Sequence, residues 1–225
     1  MAASETSAMP PLARARDSMA REAIERTQLR KLGALINAVL PSNAFYARKL
    51  GNELRNWSPG DLAEFSQRFG FTTKHELIRD RLEHPPYGTG LTFPLDAYVR
   101  CHQTSGTTTV PIRWLDTAES WAHIVDNWVQ ILRAAGVTTQ DRFFFAFSFG
   151  PFIGFWSALE AVNKLGCFCF PGGAMSSPAR LQAILDNRIT AVCCTPTYAQ
   201  HLGEVARERK IDLSKIQIVS VEPVQ

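Results

Sequence analysis

The sequence predicts an α/β fold, with a helical N-terminal segment followed by a doubly wound, mostly parallel sheet. Three observations predict it. From Arg142 onward, short apolar runs alternate with amphipathic helical stretches in the order strand, helix, strand, helix, strand, helix, strand. The runs "DRFFFAF", "CFCF" and "TAVCCTP" are too short for core helices and apolar on consecutive positions, as strands buried on both faces are. Before Pro94, the readable patterns are helical and separated by turn signals.

The elements follow in order. Residues 1–17 are small, polar and proline-containing, which predicts a frayed tail. From about Ser18 to Val39, Ile24, Leu29, Leu32, Leu35, Ile36 and Val39 fall mainly on one face, with charges opposite. Pro41 breaks that helix, and "PSNAFYARKLG" opens a second, ended by Gly51. "SPGD" starts a third over Asp61–Phe69. Thr73 with Glu76 three positions on forms a capping-box pattern for a fourth through Lys74–Leu77. "EHPPYGTG" is turn material. Glu119–Ala135 carries an apolar stripe that includes Trp121, Val125, Trp128 and Leu132, and Gly136 stops it. Helices are also predicted over "GFWSALEAVNKLG", Ala179–Asn187 and Thr197–Arg209, and "IQIVSVEP" is the last strand.

Ligands of parallel sheets gather at the carboxyl ends of the strands. The loops to watch are therefore "SFGPF", "PGG", "TPTY" and "EPVQ". Within and beside them, several residues have two readings. Phe143, Phe144 and Phe145 read as buried strand, whereas Phe147 and Phe149, nearer the strand end, fit either core or pocket. Tyr198 could touch a substrate or merely begin a helix.

Composition removes several function classes. The 225 residues are 45% apolar, enough for a buried core and against global disorder. A net charge of +3 argues against a nucleic-acid binder with a broad cationic face. No apolar stretch reaches the length of a membrane span, and Met1–Pro11 lacks the basic start and apolar run of a signal peptide. The five cysteines, Cys101, Cys167, Cys169, Cys193 and Cys194, include no CxxC pair and no histidine at ligand spacing, so no metal site is expected. They read as reduced, buried residues of a cytoplasmic protein, with Cys193 and Cys194 as core filler. His123 and His201 read as surface residues of helices.

One stretch stands apart. "CHQTSGTTTVPIRW", Cys101–Trp114, packs five hydroxyls around one glycine. It is a polar turn or a loop that wraps phosphates, since a phosphate loop needs converging N–H groups, hydroxyl donors and a glycine for close approach. Neither GxxxxGK[ST] nor GxGxxG is present there. His102, beside it, could donate to a phosphate or serve as a hydrogen-bonded structural histidine.

"TSGTTTVP" resembles the [ST]SGTTGKP signature of the adenylate-forming (AMP-binding) enzymes. "AFYARKL", "FTTKHELI", "HQTSGTT", "CCTPTYAQHLGE" and the terminal "EP" resemble, in that order, the phenylacetate–CoA ligase branch of that superfamily. The resemblance covers roughly residues 20 to 225. It implies a two-step reaction: a carboxylic acid attacks the α-phosphate of ATP to give an acyl-adenylate and pyrophosphate, and the thiol of coenzyme A then displaces AMP. Mg²⁺ assists in the family. By resemblance, Thr104, Ser105, Gly106, Thr107 and Thr108 hold the ATP phosphates, Glu222 and Pro223 lie on the adenine side, and Phe147, Phe149, Gly150, Pro151 and Phe152 line the acyl pocket. The implied partner is a small-molecule carboxylic acid, an aromatic one favoured because phenylalanines suit a flat ring. No nucleic acid and no membrane is implied.

The departures matter as much. Thr109 stands where the family loop has its second glycine, and Val110 where it has lysine. A β-branched residue tolerates positive φ poorly, so the loop tip should be stiffer, and a lost lysine removes a point charge from the pyrophosphate. Val221 replaces the glycine of the family's "GEP" element. The family's downstream metal, ribose and lysine motifs have no counterpart in these residues. The expectation is an incomplete N-terminal domain over 18–225, mainly helical over 18–93 and α/β over 94–225, with the C-terminal domain absent and the chain inactive alone. An unfinished sheet would favour self-association or a complementing chain carrying the other half. The alternative is a non-catalytic nucleotide- or acid-binding module. A nicotinamide-binding oxidoreductase fits the alternation but lacks any glycine fingerprint after the first strand.

Overall fold

Capping chemistry sets the first four helices. The computed structural model describes residues 21–51, 57–104, 110–213 and 219–220, and the chain divides into two units, Met1–Ala118 and Glu119–Gln225. In the first unit, α1 spans Arg21–Val39, α2 Ala44–Leu50, α3 Leu62–Arg68 and α4 Lys74–Glu83. Ile36 and Leu40 are buried, packed against Leu32, Tyr46, Trp57 and Phe65. Asn43 caps α2 by accepting from the Tyr46 N–H at 3.1 Å, and its own amide donates to the Gly90 carbonyl at 2.6 Å. The start of α2 and the loop after α4 are thus fastened by one buried side chain. Asp61 caps α3 by accepting from the Glu64 N–H at 2.7 Å.

The capping box of α4 forms as its spacing predicts. Thr73 Oγ1 accepts from the Glu76 N–H at 3.3 Å, and Glu76 Oε2 accepts from the Thr73 N–H at 2.6 Å. Lys49 reaches across from α2 to the same carboxylate at 2.5 Å. The hydrogen bond from Lys49 and those from Thr73 lower the Glu76 pKa to about 2. A depressed carboxylate stabilises the folded state above its unfolded pKa, and that contribution is lost as pH falls through the folded value. Thermal midpoints of the wild type should therefore fall as pH drops from about 4.5 toward about 2, and Glu76→Gln should flatten that part of the profile.

No strand pattern is legible in the sequence between Pro94 and Glu119, yet two strands are present. β1, Tyr98–Gln103, pairs antiparallel with β2, Arg113–Thr117, with a register irregularity between Tyr98 and Arg100. This hairpin buries polar residues and exposes apolar ones. Val99 and Trp114 are 62% and 48% exposed, whereas His102 and Asp116 are buried. A pattern with its polar residues inside hides a strand from periodicity.

The second unit is the predicted sheet. α5 spans Ala118–Ala134, β3 Arg142–Phe145, α6 Ile153–Leu165, β4 Phe168–Pro171, α7 Ser177–Asp186, β5 Ala191–Cys193, α8 Pro196–Glu208 and β6 Val219–Ser220. The strands are parallel in the order β4-β3-β5-β6. Successive residues of β3 and β5 serve opposite faces. Phe143, Phe145, Ala191 and Cys193 pack with α5 and α6, while Phe144 and Val192 pack with α7 and α8. The three phenylalanines of β3 are each 2% exposed or less, as a doubly covered strand requires. Gly166, at φ 80°, closes α6 by donating to the Asn163 and Val162 carbonyls. Among the described residues, no helix is long and apolar enough to cross a membrane.

Candidate functional site

β3 is the first strand of its sheet, and the chain leaves it for β4 on one side before returning to β5 on the other. The loops after β3 and β5 therefore part to opposite faces, which opens a crevice at their carboxyl ends. Three of the loops singled out from the sequence meet there. Ser148 Oγ, after β3, donates to the Gly173 carbonyl, after β4, at 3.1 Å. The Tyr198 hydroxyl, after β5, lies 2.9 Å from Ser177 Oγ at the start of α7. The fourth loop, with Glu222 and Pro223, lies outside the described residues.

The aromatic loop after β3 is partly core and partly surface. Phe147 and Phe149 are half-buried against the α5–α6 face. Phe147 stacks on Phe155 with centroids 3.9 Å apart, and Phe149 tilts against Trp156 at 4.9 Å. Trp156 Nε1 donates to the Gly150 carbonyl at 2.8 Å, tying the loop back to α6. Pro151 is exposed and Phe152 is 36% exposed, with its ring edge-on to Phe155. Such an aromatic wall, apolar and anchored at one polar point, can receive an apolar group.

Tyr198 does more than start a helix. α8 begins with Thr195 as its cap, Pro196 at its first position, and Tyr198 in the first turn. Its ring faces the guanidinium of Arg180 at 5.0 Å. Arg180 itself, which sequence reasoning did not single out, is buried beneath the loops. An arginine on an amphipathic helix carries no local signal of burial; only the convergence of three loops creates it.

The hydroxyl loop joins β1 to β2. Thr104 is described, while Ser105, Gly106, Thr107, Thr108 and Thr109 lie outside the described residues. The Thr104 N–H donates to the Ile112 carbonyl at 2.9 Å, and Thr104 Oγ1 accepts from the Ile112 N–H at 3.0 Å. Thr104 thus ties the end of β1 to Ile112, just before β2. Val110, at the far side, is 54% exposed. His102 is buried in the hairpin with Nδ1 3.5 Å from Asp116 Oδ2.

Cys167 and Cys193 are buried and Cys169 and Cys194 partly so, whereas Cys101, expected to be buried with them, is not. Burial pushes the Cys193 thiol up to about 12 and the Cys169 thiol to about 11, so neither is a thiolate near neutrality. Cys101 is exposed. Timed labelling with N-ethylmaleimide, read by peptide mass spectrometry, should modify Cys101 first and Cys193 last. His123 and His201 are exposed, as expected of helix surfaces. Among the described residues, no group of three or more His, Cys, Asp or Glu is arranged to hold a metal ion.

No protein-family model matches the chain. Individual relatives do. A phenylacetate-coenzyme A ligase from Escherichia coli K12 is 32% identical over 152 residues, 65% of this chain and 33% of that protein. A second, from Aromatoleum evansii, is 31% identical over 174 residues, 73% of this chain and 38% of that protein. The chain belongs to the phenylacetate–CoA ligase branch of the adenylate-forming superfamily. Its fold agrees: a 2-hydroxyisobutyryl-CoA ligase solved with 2-HIB-AMP and CoA in the thioesterification state matches with a TM-score of 0.82 at 26% identity. That match covers 94% of this chain and 46% of the solved one. The chain spans between 33% and 44% of the length of the curated ligases it matches.

Proposed function

We propose that this ligase-branch chain takes part in ATP-dependent activation of a small carboxylic acid to an acyl-adenylate and then a CoA thioester. The observation that carries the proposal is the meeting of the loops after β3, β4 and β5 at the carboxyl edge of the parallel sheet. Support also comes from the solved relative, whose complex holds an acyl-AMP and CoA. In this reading, Phe147, Phe149, Gly150, Pro151 and Phe152 receive the acyl group, and the aromatic wall favours a flat ring. Thr104, Ser105, Gly106, Thr107 and Thr108 bind the ATP phosphates through hydroxyls and backbone N–H groups. Glu222 and Pro223 lie on the adenine side. Reaction then depends on holding carboxylate and α-phosphate in line, while fixed donors offset the charge that develops.

ATP–pyrophosphate exchange with a panel of aryl and aliphatic acids tests this. The expected result is acid-dependent exchange, strongest with aryl acids, when a chain carrying the family's metal, ribose and lysine motifs is supplied alongside, and only background exchange without it. Exchange with no dependence on acid would contradict the proposal. A second reading, binding without turnover, is favoured by Thr109 and Val110, which stand where the family's loop has glycine and lysine. It predicts saturable binding of an aryl acid with no exchange above background.

A further inference from the structure

We propose that Arg180 is a positioning residue for the acid site, acting through the backbone of the strand-end loops; this rests on the acyl-pocket reading above. Arg180 lies in α7 and is 7% exposed. Its Nε donates to the Gly172 carbonyl at 3.0 Å, Nη1 to the Ala146 carbonyl at 2.8 Å and Nη2 to the Gly173 carbonyl at 2.6 Å. All three nitrogens of one rigid plane are used, each on a different carbonyl. Ala146 directly precedes Phe147, and Gly172–Gly173 form the turn after β4. The distance between those two loops is therefore set by the width of a guanidinium.

The third loop joins through the ring face of Tyr198, whose hydroxyl meets Ser177 at the start of the helix that carries Arg180. All hydrogen-bond partners of Arg180 among the described residues are neutral carbonyls. Burying a charge without a carboxylate carries a desolvation penalty that an apolar side chain of similar volume would avoid. The geometry that offsets it falls at the base of the loops bearing the aromatic wall, and not in the hydrophobic layer beneath. Lysine would keep the charge but not the fork, because one ammonium cannot hold three carbonyls in a plane.

Amide hydrogen exchange by mass spectrometry, on the full chain and its Arg180→Lys and Arg180→Met variants, reads the loops directly. Peptides covering 146–152 and 172–176 should exchange about tenfold faster in both variants, with α5 and α6 peptides unchanged. Calorimetric titration with phenylacetate should show affinity weakened about tenfold in both. Uniformly faster exchange, unchanged loop peptides, or an Arg180→Lys variant equal to wild type in both measurements would overturn the proposal. So would failure of both variants to fold, because Arg180 would then serve the fold itself. If the wild type binds no phenylacetate, the acyl-pocket reading fails, and the exchange pattern alone decides the role of Arg180.

Discussion

Phe144→Ala is expected to destabilise the second unit by about 3–5 kcal/mol. Phe144 is 0% exposed, stacks on Phe170 with centroids 5.2 Å apart, and packs with Leu181, Ile184 and Leu202. Its ring is the central piece of the layer between the sheet and the α7–α8 pair. Removing it forfeits the transfer energy of the ring and leaves a cavity that four surrounding elements cannot close by local adjustment. Urea unfolding should show the midpoint falling with little change in slope. A loss below about 1.5 kcal/mol would mean that the layer is loosely packed, contrary to this description.

Gly172→Ala is the second large effect, at about 1–3 kcal/mol. A Cβ at Gly172 would collide with the Phe144 ring. Gly172 is itself pinned, since its N–H donates to the Phe145 carbonyl at 2.9 Å and its carbonyl accepts from Arg180. The added methyl must therefore displace either the ring or the turn that Arg180 holds. The two substitutions are coupled. In the Phe144→Ala background the new methyl occupies vacated space, so the double variant should be more stable than the sum of singles by about 0.5–3 kcal/mol. Simple additivity would show that Gly172 is tolerant and the contact unimportant.

The alternation of strands and helices after Arg142 was legible because β3, β4 and β5 are apolar on consecutive positions, which short runs show without knowing the fold. Helix ends were legible where the chemistry is local. The Thr73–Glu76 box and the left-handed Gly166 each act within a few residues. The β1–β2 hairpin was not legible, because it buries His102 and Asp116 and exposes Val99 and Trp114. Arg180 was missed for a related reason: its partners lie 7, 8 and 34 positions away and are all backbone carbonyls, which leave no trace in residue identity. The aromatic loop was legible as a strand-end feature, but its division between core and surface depends on Phe155 and Trp156 from the following helix. Of the two readings left open for Tyr198, the helix start is borne out, and its hydroxyl and ring also meet Ser177 and Arg180, which no local pattern signals.

The central claim is that the loops after β3, β4 and β5 form one acid-binding site. Amide chemical-shift mapping of the labelled chain with phenylacetate tests it most directly. Saturable shifts confined to residues 146–152, 172–177 and 194–198 are predicted. Saturable shifts that map elsewhere, or no shifts at all up to solubility, would contradict it.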